Sequence, residues 1–194
     1  MSKRTTIISI IVFAVFIGAA VFAYNLLSDK VKPESNLTVT DKQGEVTQPQ
    51  ENIKDDKQKA PDFIMLDSNG NEVKLSDLFG KPIVLNFWAS WCPPCKSEMP
   101  DFDKVYKELG NDITFVMVDM VDGQRETVAI GTKYVEEQGF SFPVYFDTKQ
   151  SGASAHGIRS IPTTIFIDKD GYIVTGAQGA IDEAALRKGI ELIK

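Results

Sequence analysis

Hydrophobic and polar residues fall along this chain in three regimes. No charged residue occurs from Thr5 to Ser28, and Ile7–Leu27 is an apolar-rich run of 21 residues with Lys3-Arg4 before it and Lys30 and Lys32 after it. As a helix rising about 1.5 Å per residue, such a run spans roughly 30 Å, the thickness of a bilayer's hydrocarbon core. The apolar core of a cleaved signal is usually only about 7–15 residues long. The pattern therefore predicts an uncleaved N-terminal transmembrane anchor over 1–27, N-terminus inside. The alternative is a cleaved signal peptide with Val21-Phe22-Ala23 before the cut. Residues 28–60 contain no aromatic side chain and no periodic apolar face. A segment that buries so little surface cannot offset its chain entropy, which predicts a disordered polar linker.

From Pro61 to Lys194 the pattern is that of a folded domain. Phe63–Leu66 and Glu72–Lys74 flank Asp67-Ser68-Asn69-Gly70-Asn71 and predict a hairpin, followed by a short helical turn from Ser76 to Gly80. Ile83–Trp88 is continuously apolar except for Asn86, as in a buried parallel strand. A helix is predicted over about Pro94–Leu109, with Met99, Phe102, Tyr106 and Leu109 on one face and a kink at Pro100. Then follow a strand over Ile113–Val118 and a helix over about Gln124–Gln138 that turns Ile130 and Tyr134 inward and stops at Gly139. Next come a strand over Phe142–Phe146 and a short helix over Lys149–His156. A hairpin of Thr163–Ile167 and Tyr172–Ala177 is followed by a helix from about Asp182 that buries Leu186, Ile190 and Ile193. Strands alternating with helices and closing on a hairpin predict an α/β domain, a mixed β-sheet flanked by helices.

Composition narrows the chemistry. The chain has 194 residues with 2 Cys, 1 His and a net charge of −6. Within 61–194 there are 13 Lys and Arg against 20 Asp and Glu, a net of −7, so the acidity belongs to the domain and argues against nucleic-acid binding. Two cysteines exclude a disulfide-stapled scaffold and a four-thiolate cluster, and His156 alone cannot complete a tetrahedral zinc site. Both cysteines lie in Trp91-Cys92-Pro93-Pro94-Cys95, between the buried strand and the helix. At a helix start the first thiol meets the orphan amides and the positive end of the dipole, which favour a thiolate at Cys92, while Cys95 lies one turn along. Pro94 suits the first helical position.

The stretch Val84–Cys95 (VLNFWASWCPPC) resembles the active-site segment of thioredoxin-like proteins, and most closely that of the membrane-anchored TlpA/ResA-type thiol–disulfide oxidoreductases of bacteria. The N-terminal anchor, the leading hairpin, Cys95–Pro100 (CKSEMP), the extra helix–strand unit at about 124–146 and Gly157–Thr164 (GIRSIPTT) support that subgroup. The resemblance covers 61–194 and implies a thioredoxin-like fold with an N-terminal hairpin and a central helix–strand insertion. It further implies a cis Ile161–Pro162 bond facing the cysteines, Cys92 as nucleophile and Cys95 as resolving thiol. Trp91, Pro93, Pro94, Ile161 and Pro162 would form the substrate surface. Cytosolic thioredoxins carry a buried Asp where this chain has Asn86, and the family pattern places a functional glutamate at Glu98, which would serve as the local carboxylate and help deprotonate Cys95. Pro93 deprives the Cys92 sulfur of an N–H donor, which favours a reductant nearer thioredoxin, at about −270 mV, than DsbA, at about −120 mV.

The implied activity is protein disulfide reduction with no cofactor and no metal beyond the redox-active Cys92–Cys95 pair. The substrate would be a disulfide-containing protein outside the cytoplasm, such as an apocytochrome c with its haem-site cysteines. A membrane thiol donor would recycle the pair, and the N-terminal helix would hold the domain on the extracytoplasmic side of the cell membrane as a single-pass protein. Two alternatives share the fold. A copper-binding module of the Sco type wants three residues between its cysteines, not two, and a peroxiredoxin-like thiol peroxidase wants a Thr-x-x-Cys environment where Trp91 stands. His156 reads as a helix-end histidine, Asp119 as a strand end and Asp122 as a helix cap.

Overall fold

The computed structural model describes residues 58–194. The anchor predicted over 1–27 and most of the linker over 28–60 lie outside the described residues. Among the described residues no helix is long and apolar enough to cross a membrane. The elements in chain order are β1 (Ile64–Leu66), β2 (Glu72–Lys74), a 3-10 turn (Leu75–Leu78), β3 (Ile83–Trp88), α1 (Pro93–Leu109) and β4 (Thr114–Asp119). After these come α2 (Val128–Gln138), β5 (Val144–Phe146), α3 (Ser151–Ala155), β6 (Thr163–Ile167), β7 (Ile173–Gln178) and α4 (Glu183–Ile193). The seven strands form one sheet in the order β2-β1-β5-β4-β3-β6-β7. β3, β4 and β5 run parallel, and the flanking pairs are antiparallel.

All six residues of β3 are buried, as expected of a strand covered on both faces. Alternation assigns them to two cores. Val84 and Trp88 join Phe115, Met117, Met99, Phe102, Leu186 and Ile190 under α1 and α4. Ile83, Leu85 and Phe87 join Phe63, Met65, Leu75, Val116, Val118 and Ile167 on the other face. Asn86, in phase with Val84 and Trp88, must therefore face α1, where only a polar partner can satisfy it.

Several predicted boundaries move for identifiable reasons. Gln58, Lys59 and Ala60 join the sheet edge: Ile173 N–H donates to Gln58 O, Lys59 bridges Tyr172, and Ala60 N–H donates to Gly171 O. Pro93, not Pro94, opens α1, which runs unbroken through Pro100. The helix predicted from Gln124 starts at Val128, because Asp122 Oδ1 accepts from the Gln124 and Glu126 amides and holds that stretch as a loop, while Thr127 caps the helix. Ile130 points outward, 43% exposed, and Gly131 takes the sheet-facing position instead. β5 starts after Pro143, which has no N–H for a ladder.

Candidate active site

Cys92 is the N-cap of α1, with extended backbone, and its side chain is bonded to Cys95 as a disulfide with Cα atoms 5.3 Å apart. The Cys95 amide donates to Cys92 Sγ at 3.2 Å. Pro93 and Pro94 have no amide to give, and the Lys96 amide donates to Cys92 O, so Cys95 supplies the one helix-start N–H that reaches the sulfur among the described residues. Cys95 is fully buried; Cys92, itself only 3% exposed, lines the wall of a cleft of about 470 Å³ that Cys95 does not reach. Facing it, the Ile161–Pro162 peptide is cis, and Ile161 O lies 3.7 Å from Cys92 Sγ. Trp91, 40% exposed, forms one wall, and Pro93, Pro94 and Ile161 line the cleft with it. Pro162 is buried beneath, its carbonyl accepting from the Gly179 amide.

Behind the disulfide, Asn86 and Glu98 meet as the strand phase demands. Asn86 Nδ2 donates to Glu98 Oε1 at 2.9 Å and to Thr164 Oγ1 at 3.0 Å, Thr164 being its cross-strand partner. The Ile181 amide donates to Glu98 Oε2 at 3.0 Å. Glu98 lies one helical turn beyond Cys95 and is buried. Loss of hydration raises its pKa to about 7, and the two donors pull in the other direction without cancelling the rise.

A second carboxyl pair lies under the loop that carries Cys92. Glu126 Oε2 accepts from both the amide and the hydroxyl of Ser90 at 2.8 Å. Asp119 ends β4 beside Trp88, fully buried, and neither of its carboxyl oxygens has a partner among the described residues. Burial, then the charges of Glu126 and Asp122, push its pKa up to about 8. It packs against Gly131, where any Cβ would overlap the carboxyl. Above this pair the Arg125 guanidinium lies 3.8 Å over the Trp91 ring.

Residues 57–175 match the model of the AhpC/TSA family. Thiol-disulfide oxidoreductase ResA of Halalkalibacterium halodurans is 36% identical over 140 residues, covering 71% of this chain and 76% of that one. The Bacillus subtilis protein of the same name is 34% identical over 136 residues, covering 70% and 74%. The chain belongs to the ResA-type thiol-disulfide oxidoreductases. Among solved structures, the pneumococcal exposed lipoprotein thioredoxin Etrx1 of Streptococcus pneumoniae superposes with a TM-score of 0.60 at 32% identity, covering 68% of this chain and all of that one. StoA of Bacillus subtilis gives 0.59 at 25% identity, covering 68% and 97%. The seven-stranded α/β architecture is thus the thioredoxin-like fold of the ResA type, with β1–β2 as the leading hairpin and α2–β5 as the insertion.

The structure brings Trp91, Cys92, Pro93, Pro94 and Ile161 together around one cleft and sets Cys95, Glu98 and Pro162 behind it. His156 caps α3, with Nδ1 3.0 Å from Gly152 O and its ring between Phe63 and Phe87. Burial lowers its pKa. Sequence reasoning missed Glu126, Arg125 and Arg159. Asp119 ends β4, as its sequence position indicates, but no local signal marks its burial. Arg125 and Glu126 come from the polar loop between β4 and α2, with no periodicity to mark them. Among the described residues no group of three His, Cys, Asp or Glu side chains is placed to hold a metal ion.

Proposed function

We propose that this protein reduces disulfides in other proteins outside the cytoplasm, held to the membrane by its apolar run Ile7–Leu27. The observation that carries this reading is the asymmetry of the pair: Cys92 opens on the cleft and Cys95 does not. In the reduced protein the Cys92 thiolate attacks one sulfur of the substrate disulfide. That bond breaks, a mixed disulfide forms on Cys92, and the leaving sulfur departs as a thiolate that takes a proton from solvent. Cys95 then gives its proton to the Glu98 carboxylate and attacks Cys92 Sγ, releasing the second substrate thiolate and restoring the Cys92–Cys95 bond. Two electrons pass to the substrate, and no cofactor takes part. A pKa near 7 suits Glu98 to accept and return a proton at neutral pH. The few donors at the Cys92 sulfur stabilise its thiolate weakly, which makes the reduced pair a good electron donor.

Trp91, Pro93, Pro94 and Ile161 form the surface for the substrate, with Pro162 supporting Ile161 next to Cys92. An apocytochrome c with paired haem-site cysteines is a substrate of the right chemistry, and a membrane dithiol donor would re-reduce the pair. The Cys95→Ser variant tests the scheme, because it removes the resolving step and should accumulate substrate proteins covalently bound to Cys92. No adduct on the variant, together with no insulin reduction by the wild type, would sink it.

A further inference from the structure

Two arginines from different loops line the same cleft. Arg125 comes from the loop between β4 and α2, and Arg159 lies two residues before Ile161. The only acidic side chain lining that cleft, Asp122, already has its partners: Oδ1 accepts from the Gln124 and Glu126 amides, and Oδ2 lies 3.6 Å from Arg125 Nε. Trp91 covers one face of the Arg125 guanidinium, which leaves the donors at the edge of that plane pointing elsewhere. Arg159 is exposed and has no ion pair among the described residues. A cationic mouth thus opens in a domain whose net charge over 61–194 is −7.

Resting on the reductase reading above, we infer that the cleft selects substrate segments carrying an Asp or Glu within two residues of the attacked cysteine. In an extended peptide, side chains on one face recur every second residue, about 7 Å apart. A cysteine placed at Cys92 beside Ile161 therefore puts the residue two positions away level with Arg159. The acidic body sharpens the choice. It disfavours partners that are acidic throughout, and at physiological salt that repulsion is screened beyond about 8 Å. The partner that fits is neutral or basic overall, with a local carboxylate beside its disulfide.

The test uses the full-length chain in non-ionic detergent, reduced beforehand, and three homodimeric disulfide peptides. These differ only in carrying Glu, Gln or Lys two residues before and two residues after the cysteine. The Glu peptide is expected to be reduced about fivefold faster than the Gln peptide at low salt, the size of one or two partly exposed ion pairs, and the Lys peptide more slowly than either. The Glu-to-Gln ratio should shrink toward one in 0.5 M salt. Arg159→Gln should abolish the ratio, and Arg159→Glu should invert the order of the Glu and Lys peptides. Equal rates for the Glu and Gln peptides overturn the charge selection and leave the reductase reading standing. A ratio that survives in the Arg125→Gln, Arg159→Gln double variant overturns it as well. Failure to reduce any of the three peptides overturns the reductase reading, and the selection with it.

Discussion

Two carboxyl sites sit on the same face of the sheet, one where α1 meets the middle of β3 and one at the end of the adjacent parallel strand β4, and burial raises the pKa of one acid in each. Glu98 accepts two hydrogen bonds, from Asn86 and Ile181, and stands one turn from Cys95. Asp119 accepts none among the described residues and touches Gly131 and the insertion. A raised pKa by itself does not mark a catalytic acid. The difference lies in what each proton is connected to: Glu98 is wired to the helix that carries both sulfurs, Asp119 to the scaffold beneath the active-site loop.

The two acids should differ most in their effect on rate. Glu98→Gln should slow turnover about 100-fold, the low end for a lost proton acceptor, and flatten the pH–rate profile around neutrality. Asp119→Asn should stay within about threefold of the wild type with the profile unchanged. Insulin reduction followed from pH 5 to 9 measures both. Equal losses in the two variants would erase the distinction.

The next effect is on stability against pH. Both acids have folded pKa values above those of the unfolded chain, at about 7 for Glu98 and about 8 for Asp119. The native state holds these protons where the unfolded chain has released them. Their contribution is therefore complete below the unfolded carboxyl pKa of about 4, falls as pH rises from there, and is gone once pH has passed 7 for Glu98 and 8 for Asp119. At about 1.4 kcal/mol per pKa unit, the oxidised protein should be less stable at pH 9 than at pH 5 by up to about 7 kcal/mol, most of it lost before pH 8. Denaturant titrations at the two values check this, and Asp119→Asn and Glu98→Gln should each remove part of the slope. The smallest effect expected is at the loop. Ser90→Ala removes one of the two hydrogen bonds to Glu126 and should cost about 1 kcal/mol in the same titrations, with the pH slope intact.

Legibility in the sequence followed the same division. The disulfide, the strand before it, the helix after it and the Glu98 position were readable because each carries a local signal: a Cys-x-x-Cys spacing, an apolar run, a helical turn. Asn86 was seen as a substitution, and strand phase explains why it meets Glu98 across the interface. The Asp119–Glu126 site was not readable. Glu126 reaches Ser90 from 36 residues away, through a loop whose conformation is set by Asp122. Apolar periodicity continues through that loop and points Ile130 inward, whereas Gly131, lacking a side chain that would overlap Asp119, is the residue that packs against the sheet.

The sulfur at position 92 has two duties, because the atom that exchanges electrons is also the one that holds the Cys95 amide at the start of α1. Bonded to another sulfur it is a weak acceptor; as a thiolate it is a charged one and grips that amide more firmly. Every turnover therefore tightens and loosens the first turn of the helix. The Cys95 amide, observed by its proton shift or its exchange with deuterium, is a built-in gauge of the redox state.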